Sequence, residues 1–427
     1  MLDIKFIREN KEAVEAAIKN KKVKKEIDLD HLLDIADRRK ELKQKIDEIN
    51  TERKKAAKEQ NIDLGKQLKE EGNKVEEEFK ILDKEYLRIS LLVPNVPSAD
   101  TPIGNDETGN KVIRTFGDKT EFSFTPKEHY ELGKDLDIID SERAAEISGA
   151  RFTYLKGDLA LLQLALINFA VSITTDGEKI ESIINQFDLK VDPKPFTFII
   201  PPSMVKPAVL NRMARLEPKD DKYYIESDDV YLAGSAEHTL GAMHMDEVLK
   251  AEDLPIRYLG YSTAFRREAG SYGKDTSGIL RMHQFDKLEM ESFSLPETSK
   301  EEQDLMVSVQ EFMLQKLGIP YQVVMLCTGD MGIPDYRQID IECWMPGQNK
   351  YRETHSADLM TSFQSRRLNT RYKNKDGKME HVHMNDATLT AIGRTLIAIM
   401  ENYQQEDGSI RVPAVLVPYI GKEVINK

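Results

Sequence analysis

Between residues 30 and 58 the apolar residues step alternately by three and four, through Leu32, Ile35, Leu42, Ile46, Ile49 and Ala56, with Arg39 and Arg53 filling the gaps. A stripe of that period is a heptad seam, which buries itself against another helix. A second seam runs through Leu68, Val75, Phe79, Leu82, Tyr86, Ile89 and Val93, and Gln60-Asn-Ile-Asp-Leu-Gly65 between them carries turn-forming residues. The two helices are expected to fold back on each other as an antiparallel arm about 40 Å long.

Charge sets this arm apart. Through residue 90, about 23 Lys and Arg stand against about 22 Asp and Glu, while the whole chain carries a net charge of -13, so the surplus acid lies further on. Lys21-Lys-Val-Lys-Lys25 and Arg53-Lys-Lys55 would offer positive spots to a phosphate backbone. A solvated coiled-coil surface explains the same charges.

Pro94-Asn-Val-Pro97 ends the second helix, and Gly, Asn, Asp and Pro recur to about residue 120. The expected organisation is an arm over 1–100, a linker over 101–120 and a body over 121–427. A chain of 427 residues, 40% hydrophobic and 32% charged, has the length for about two or three cores and the composition of a globular protein. No apolar run of about 18 residues and no secretory start is evident, which places the chain in the cytoplasm with no membrane contact. Cys327 and Cys343 are too few for a disulfide framework and read as strand cysteines.

In the body, a helix around Leu159 to Val171 is mixed with alternating or apolar segments at Phe196–Ile200, Tyr258–Arg267, Ile279–Phe293, Tyr321–Cys327 and Ile339–Met345. Alternation outweighs any regular strand-helix rhythm, so the expected class is α+β, an antiparallel sheet flanked by helices.

Phe265 to Glu289 reads as strand, Gly-rich loop, strand. With period two, Arg281, His283, Phe285, Lys287 and Glu289 share one face, as do Arg266 and Glu268 on the partner strand. Guanidinium forks, an aromatic plane and carboxylates on one face suit a nucleotide. An exposed sheet face with Arg-Glu cross-strand pairs fits equally at this point. Gly270-Ser-Tyr-Gly-Lys-Asp-Thr276 is not a phosphate loop, since Glu268 stands at the first glycine's place and Asp275 follows the lysine. No dinucleotide glycine pattern and no Gly-x-Ser-x-Gly elbow is present, and His381-Val-His383 alone is a weak metal signal.

The hairpin, Phe265-Arg-x-Glu-Ala-Gly-Ser-x-Gly-Lys-Asp-Thr276 followed by His283-Gln-Phe-Asp-Lys-x-Glu289, resembles motif 2 of class II aminoacyl-tRNA synthetases in its seryl-tRNA synthetase form. The resemblance extends over almost the whole chain. Met1-Leu-Asp-Ile-Lys, Pro126-x-x-His129-x-x-Leu132-Gly133, Ala144 to Phe152, Tyr154 to Asp158, Cys327-Thr-Gly-Asp-Met-Gly332 and Asp340-Ile-Glu-x-Trp-Met-Pro-x-Gln348 are similar to that family in order, and Gly393 to Pro413 looks like motif 3.

The resemblance implies a class II catalytic domain that activates L-serine with ATP and Mg2+ and passes it to tRNA(Ser), with tRNA(Sec) a further acceptor to test. It implies that Arg266 holds the α-phosphate, Glu268 the adenine amino group and Arg281 the phosphates, with Phe285 stacked beneath the adenine. Arg394 would clamp the outer phosphates and Glu353 would ligate magnesium. Arg267, Thr354, His355 and Ser356 fall in the same nucleotide-binding segments. Ser235-Ala236-Glu237, Glu289 and Thr388 match the serine-binding positions. A homodimer is implied around Ile199-Ile-Pro-Pro202, and tRNA contact through the arm.

Some positions depart from the family pattern. Ser235 replaces the usual threonine, Ala357-Asp-Leu359 replaces Cys-Ser-Asn, Ser277 stands where an arginine is usual, and Asn211 to Asp221 lacks the usual Gly-x-Gly. The competing readings are a paralogue that loads an acceptor other than tRNA and an inactive nucleic-acid-binding dimer.

Overall fold

Asp28 and Asn61 begin the two arm helices, their side chains accepting from the backbone N–H of His31 (2.9 Å) and Leu64 (3.1 Å). In the computed structural model, which describes residues 1–269 and 278–427, α1 spans Leu29–Lys58 and α2 spans Ile62–Ser90. The turn between them is shorter than the sequence suggests. Gln60 takes a positive φ of 55°, and the helix resumes at Ile62, so Gly65 lies inside it.

Leu42, Ile46, Ile49 and Ala56 pack on Leu68 and Val75, so the two seams meet. Arg39 belongs to the seam because its guanidinium sits 3.9 Å from the Tyr86 ring centroid and pairs with Asp83. Ion pairs Arg38–Glu78 and Lys45–Glu71, both 2.8 Å, tie the helices along their exposed edges. Of the basic cluster near the start, Lys21 is buried, whereas Lys22, Lys24 and Lys25 are exposed.

The chain divides into Met1–Val96 and Pro97–Lys427. The expected linker over 101–120 is corrected, because Lys111–Phe116 is an edge strand of the body's main sheet. We number that sheet β1 (Lys111–Phe116), β2 (Thr197–Ile199), β3 (Ile256–Phe265), β4 (Gln284–Ser294), β5 (Tyr321–Met325), β6 (Arg337–Met345), β7 (Lys350–Thr361) and β8 (His383–Ala391). Its order is β1-β5-β6-β7-β8-β4-β3-β2, antiparallel except for the β2–β3 pair at the far edge. Helices α3 (Gly157–Thr174), α4 (Ser299–Leu317) and α5 (Ile392–Tyr403) contribute Leu162, Leu166, Leu305, Met313, Leu396 and Ile399 to one core with Leu259, Leu288, Met290, Ile341 and Leu389 of the sheet.

Two details differ from the sequence reading. Helix α3 is long and apolar enough to cross a membrane by length and composition, contrary to expectation, yet Leu159, Leu162, Leu166, Ala170 and Ile173 line the core. Cys343 lies in β6, but Cys327 sits beyond the end of β5, and both are buried free thiols.

Helix α4 also shapes the far side of the sheet. The Gln310 side-chain amide donates to the carbonyls of Ser356 and Thr388, both at 2.8 Å, and Gln303 donates to those of Arg337 (2.9 Å) and Ala357 (2.8 Å). Strand register shifts near these points, between Leu288 and Glu289 on β4 and between Ile341 and Glu342 on β6. The bulges re-aim neighbouring side chains toward the other face.

Candidate active site

The β3–β4 hairpin pairs from Phe265↔Gln284 to Ile256↔Phe293, which puts Phe285, Lys287 and Glu289 on one face by simple alternation. The segment Ile279–His283 precedes β4 rather than extending it, so Arg281 reaches that face from a connection. Gly278, at φ 72°, stands where a Cβ would come 2.0 Å from His129 Nε2, and that nitrogen accepts from the Ile279 N–H at 3.1 Å. His129 thereby fixes the entry to β4. The tip Gly270-Ser-Tyr-Gly-Lys-Asp-Thr276, together with Ser277, lies outside the described residues.

A cavity of about 340 Å³ opens on this face, lined at one end by Arg266, Glu268, Arg281, Phe285, Glu353 and Arg394. The Arg266 guanidinium carbon is 5.4 Å from the Phe285 ring centroid, and its Nε donates to the Gly234 carbonyl at 3.1 Å. Arg281 pairs with Glu268, and Arg394, on the first turn of α5, pairs with Glu353 at 3.0 Å. An adjoining, more open groove of about 660 Å³ shares these five charged residues. Three guanidinium groups and an aromatic ring lining one cavity make an anion site with a stacking surface.

The other end, where Glu237 and Asp358 line the cavity, is acidic. Carboxylate oxygens of Glu237, Glu289 and Asp386 lie within 4.8 Å of one another, in a group that includes neither His381 nor His383. Lys287 pairs with Glu289, and its ammonium also donates to the Ser235 hydroxyl at 3.1 Å, which itself donates to Glu289 at 3.1 Å. Ser356 and Thr388 hydroxyls touch at 3.0 Å. Burial opposes ionisation of Glu237, but Arg215 and Lys287 hold its carboxyl down at about 2. Burial dominates at Glu289, Asp358 and Asp386 and pushes each of them up.

Several sequence-predicted residues are placed elsewhere. His283 does not join the charged face: its Nδ1 meets the Arg266 carbonyl at 2.9 Å and its ring packs against Phe152 and Tyr223. Arg267, which like Arg266 lies just beyond the end of β3, has its guanidinium 6.0 Å from the Tyr223 ring centroid. Ala236 is buried at the start of the short helix Glu237–Leu240. Thr354 lines the cavity, but its hydroxyl donates inward to the Ile341 carbonyl at 3.2 Å.

His355 is the clearest correction. The bulge on β7 turns it into the protein interior, where its Nδ1 lies 2.6 Å from the Thr354 hydroxyl. Burial lowers its pKa to about 3, against about 6.5 in an unfolded chain. The unfolded chain therefore binds the extra proton between those values. The contribution of His355 to stability is complete above about pH 6.5 and is lost as the pH falls toward 3. The unfolding free energy of wild type relative to His355→Asn is expected to fall by about 1.4 kcal/mol for each pH unit between about pH 6 and 4. Denaturant titrations at stepped pH test this, and a pH-independent difference would refute it.

The sequence reading missed Arg215, Asp340, Asp358 and Asp386, all but the last of which line the cavity directly. The signals lay in the departures: Arg215 sits in the stretch lacking Gly-x-Gly, and Asp358 lies in the altered segment after Ser356.

Residues 1–97 match the seryl-tRNA synthetase N-terminal domain, and residues 222–403 match the tRNA synthetase class II core domain (G, H, P, S and T). A serine–tRNA ligase of Petrotoga mobilis is 39% identical over 447 residues, covering 100% of both chains. One of Sulfurihydrogenibium is 45% identical over 340 residues, covering 79% of this chain and 78% of the relative. Among solved structures, seryl-tRNA synthetase of Pyrococcus horikoshii complexed with ATP superposes with a TM-score of 0.87 at 35% identity, covering 100% and 99% of the two chains. Cytoplasmic serine–tRNA ligase of Naegleria fowleri in complex with AMP gives 0.84 at 30% identity with the same coverage. End-to-end identity at this level, with both domain types matched in order, means that the chain belongs to the seryl-tRNA synthetase family, the ATP-dependent class II ligases that charge serine to tRNA.

Proposed function

We propose that the cationic end of the cavity binds ATP and the acidic end binds L-serine, so that the serine carboxylate lies beside the α-phosphorus. The observation that carries this reading is one continuous cavity with Arg266 over Phe285 at one end and Glu237, Asp358, Ser356 and Thr388 at the other, where the buried Glu289 and Asp386 carboxylates lie within 4.8 Å of that of Glu237. A carboxylate oxygen of serine attacks the α-phosphorus, the bond to the bridging oxygen breaks and pyrophosphate leaves. A ribose hydroxyl at the tRNA end then attacks the acyl carbon of seryl-adenylate, and AMP departs. No protein nucleophile is needed; the protein aligns the reactants and spreads the developing charge over Arg266 and Arg394.

Glu289, kept dry on β4, receives the substrate ammonium, and the Ser356–Thr388 hydroxyl pair faces the small side chain. A site that hydrogen-bonds the serine hydroxyl rejects alanine strongly, whereas threonine is refused by size. For magnesium, the fit is good: Asp340 is buried with Oδ1 lacking a hydrogen bond, and its carboxyl is pushed well up by burial and by Glu353, Asp330 and Glu342. Hard oxygen donors crowded in this way suit a divalent cation. Glu353 and Asp340 would hold it, and it would offset charge on the phosphates.

Serine-dependent ATP-pyrophosphate exchange, run beside threonine, alanine and glycine, tests the reading. Exchange with serine alone is expected; none with any amino acid would favour a non-catalytic dimer.

The arm's part in this reading is tRNA contact by shape and backbone, in a cytoplasmic homodimer. Lys54 and Lys55 are exposed on α1. Reversing both to Glu is expected to lower kcat/KM for tRNA charging about tenfold and flatten its salt dependence, while serine-dependent exchange stays within about twofold. Equal losses in both assays would remove the arm from tRNA binding.

A further inference from the structure

Three neighbouring strands bring Asp358 (β7), Asp386 (β8) and Glu291 (β4) into a single cross-strand row, with Asp358 opposite Asp386 and Asp386 opposite Glu291. All three are buried, and neither oxygen of Glu291 has a hydrogen-bond partner. Like charges directly opposite each other in a sheet repel, and out of water the cost rises. Protonation of some of these acids, a neighbouring cation, or both must relieve this row.

Arg215 is so placed. It lies 3.3 Å from Asp386 and 3.7 Å from Asp358, and on its other side 2.9 Å from Glu237, so one guanidinium joins carboxylates from three separate elements. The backbone that carries it is braced. Ala214 adopts φ 60°, a left-handed conformation that costs a residue with a Cβ. Just before it, Gln364 donates to the Met213 carbonyl at 3.0 Å and Arg367 to the Arg212 carbonyl at 2.8 Å. The Arg215 N–H closes the turn on the Leu210 carbonyl at 2.9 Å.

We infer that Arg215 is a positioning residue for amino-acid recognition: it fixes Glu237 against the Asp358–Asp386 row and so sets the shape and charge of the serine end of the cavity. The inference rests on the proposed function. It joins two departures from the family pattern, at 211–221 and at 357–359, into one change, since the arginine of the first faces the aspartate of the second. Arg215 shares the cavity with Arg266 but pairs with Glu237, Asp358 and Asp386, whereas Glu268 and Glu353 pair with Arg281 and Arg394, so its effect is expected to fall on the amino acid rather than on ATP. A lysine could keep the charge but not place donors beside Glu237 and Asp386 at once, because only the guanidinium is a planar fork.

The test is pyrophosphate exchange with serine and ATP varied separately for wild type, Arg215→Met, Arg215→Lys and Arg215→Met/Asp358→Asn. Arg215→Met is expected to raise KM for serine about 30-fold or more with KM for ATP within about threefold, and Arg215→Lys to recover part of that loss. The double variant is expected to melt higher than Arg215→Met, because one uncompensated acid is gone, without regaining serine affinity. Equal shifts in both KM values, or a serine KM within about threefold of wild type, would overturn the inference. If Arg215→Met does not fold, Arg215→Lys decides by the same split. Wild type that shows no serine-dependent exchange overturns the proposed function and this inference together; active wild type with Arg215 variants that keep their serine KM overturns this inference alone.

Discussion

Replacing Arg266 with glutamine is expected to lower kcat for serine-dependent pyrophosphate exchange about 10²- to 10³-fold while leaving the protein folded. The side chain is held from three directions. Its Nε donates to the Gly234 carbonyl, its guanidinium lies over Phe285, and its backbone is fixed at both polar groups by His283, the N–H donating to the His283 carbonyl at 2.9 Å and the carbonyl meeting His283 Nδ1 at 2.9 Å. A group already fixed where charge develops costs little to reorganise during the reaction, which is why its loss falls on kcat. Glutamine keeps a polar end but removes the charge and the fork. Arg266→Lys keeps the charge, and is expected to recover only part of the rate, because a point charge cannot bridge two oxygens. Steady-state exchange kinetics with a melting curve for each variant decide the matter. A loss below about tenfold in a folded Arg266→Gln would remove Arg266 from the catalytic machinery.

The same neighbourhood shows how far the sequence could be read. The arm was legible because seven-residue periodicity is a local property: each of Leu42, Ile46 and Ile49 meets a partner that the second seam already names. The hairpin was legible for the same reason, since period-two alternation along β4 places Phe285, Lys287 and Glu289 on one face without reference to the rest of the chain. Where a bulge interrupts the count, alternation misleads. His355 turns into the core and Ser356 toward the cavity because β7 shifts register beside Glu342, and nothing in Glu353-Thr-His-Ser356 announces that shift. His283 was misplaced because β4 begins only at Gln284. Residues 101–120 read as a linker because Gly, Asn, Asp and Pro recur in the stretch, although Lys111–Phe116 gains a partner in β5, about two hundred residues away. Arg215 and Asp386 were illegible for a further reason. Each makes sense only as the counterpart of the other, and their pairing is set by sheet order, a property no single segment carries.

Sheet order also produces the largest expected effect on stability. Arg257, the second residue of β3, and Glu302, in the first turn of α4, form a pair with side chains 0% and 1% exposed. The bond is bidentate, at 2.8 Å and 2.6 Å. The remaining polar capacity is taken up as well: Arg257 also donates to the Asp192 and Lys194 carbonyls, and the Ser292 hydroxyl donates to Glu302 at 2.8 Å. Arg257→Met removes one ion and leaves Glu302 as an uncompensated buried charge, which costs about 3–5 kcal/mol. It also releases residues 192–194, which lead into β2, the short parallel strand at the sheet edge. The edge is therefore expected to loosen first, and amide hydrogens of β2 to exchange faster than those of β4 in the variant. Glu302→Leu alone is expected to be similarly damaging, since it strands the guanidinium. The double replacement Arg257→Met/Glu302→Leu is expected to recover part of the loss, because neither ion then remains to be solvated. Denaturant unfolding of wild type, both single variants and the double variant measures the coupling. If Arg257→Met costs less than about 1 kcal/mol, or if the two single losses simply add in the double variant, the pair is not what joins α4 to the sheet edge.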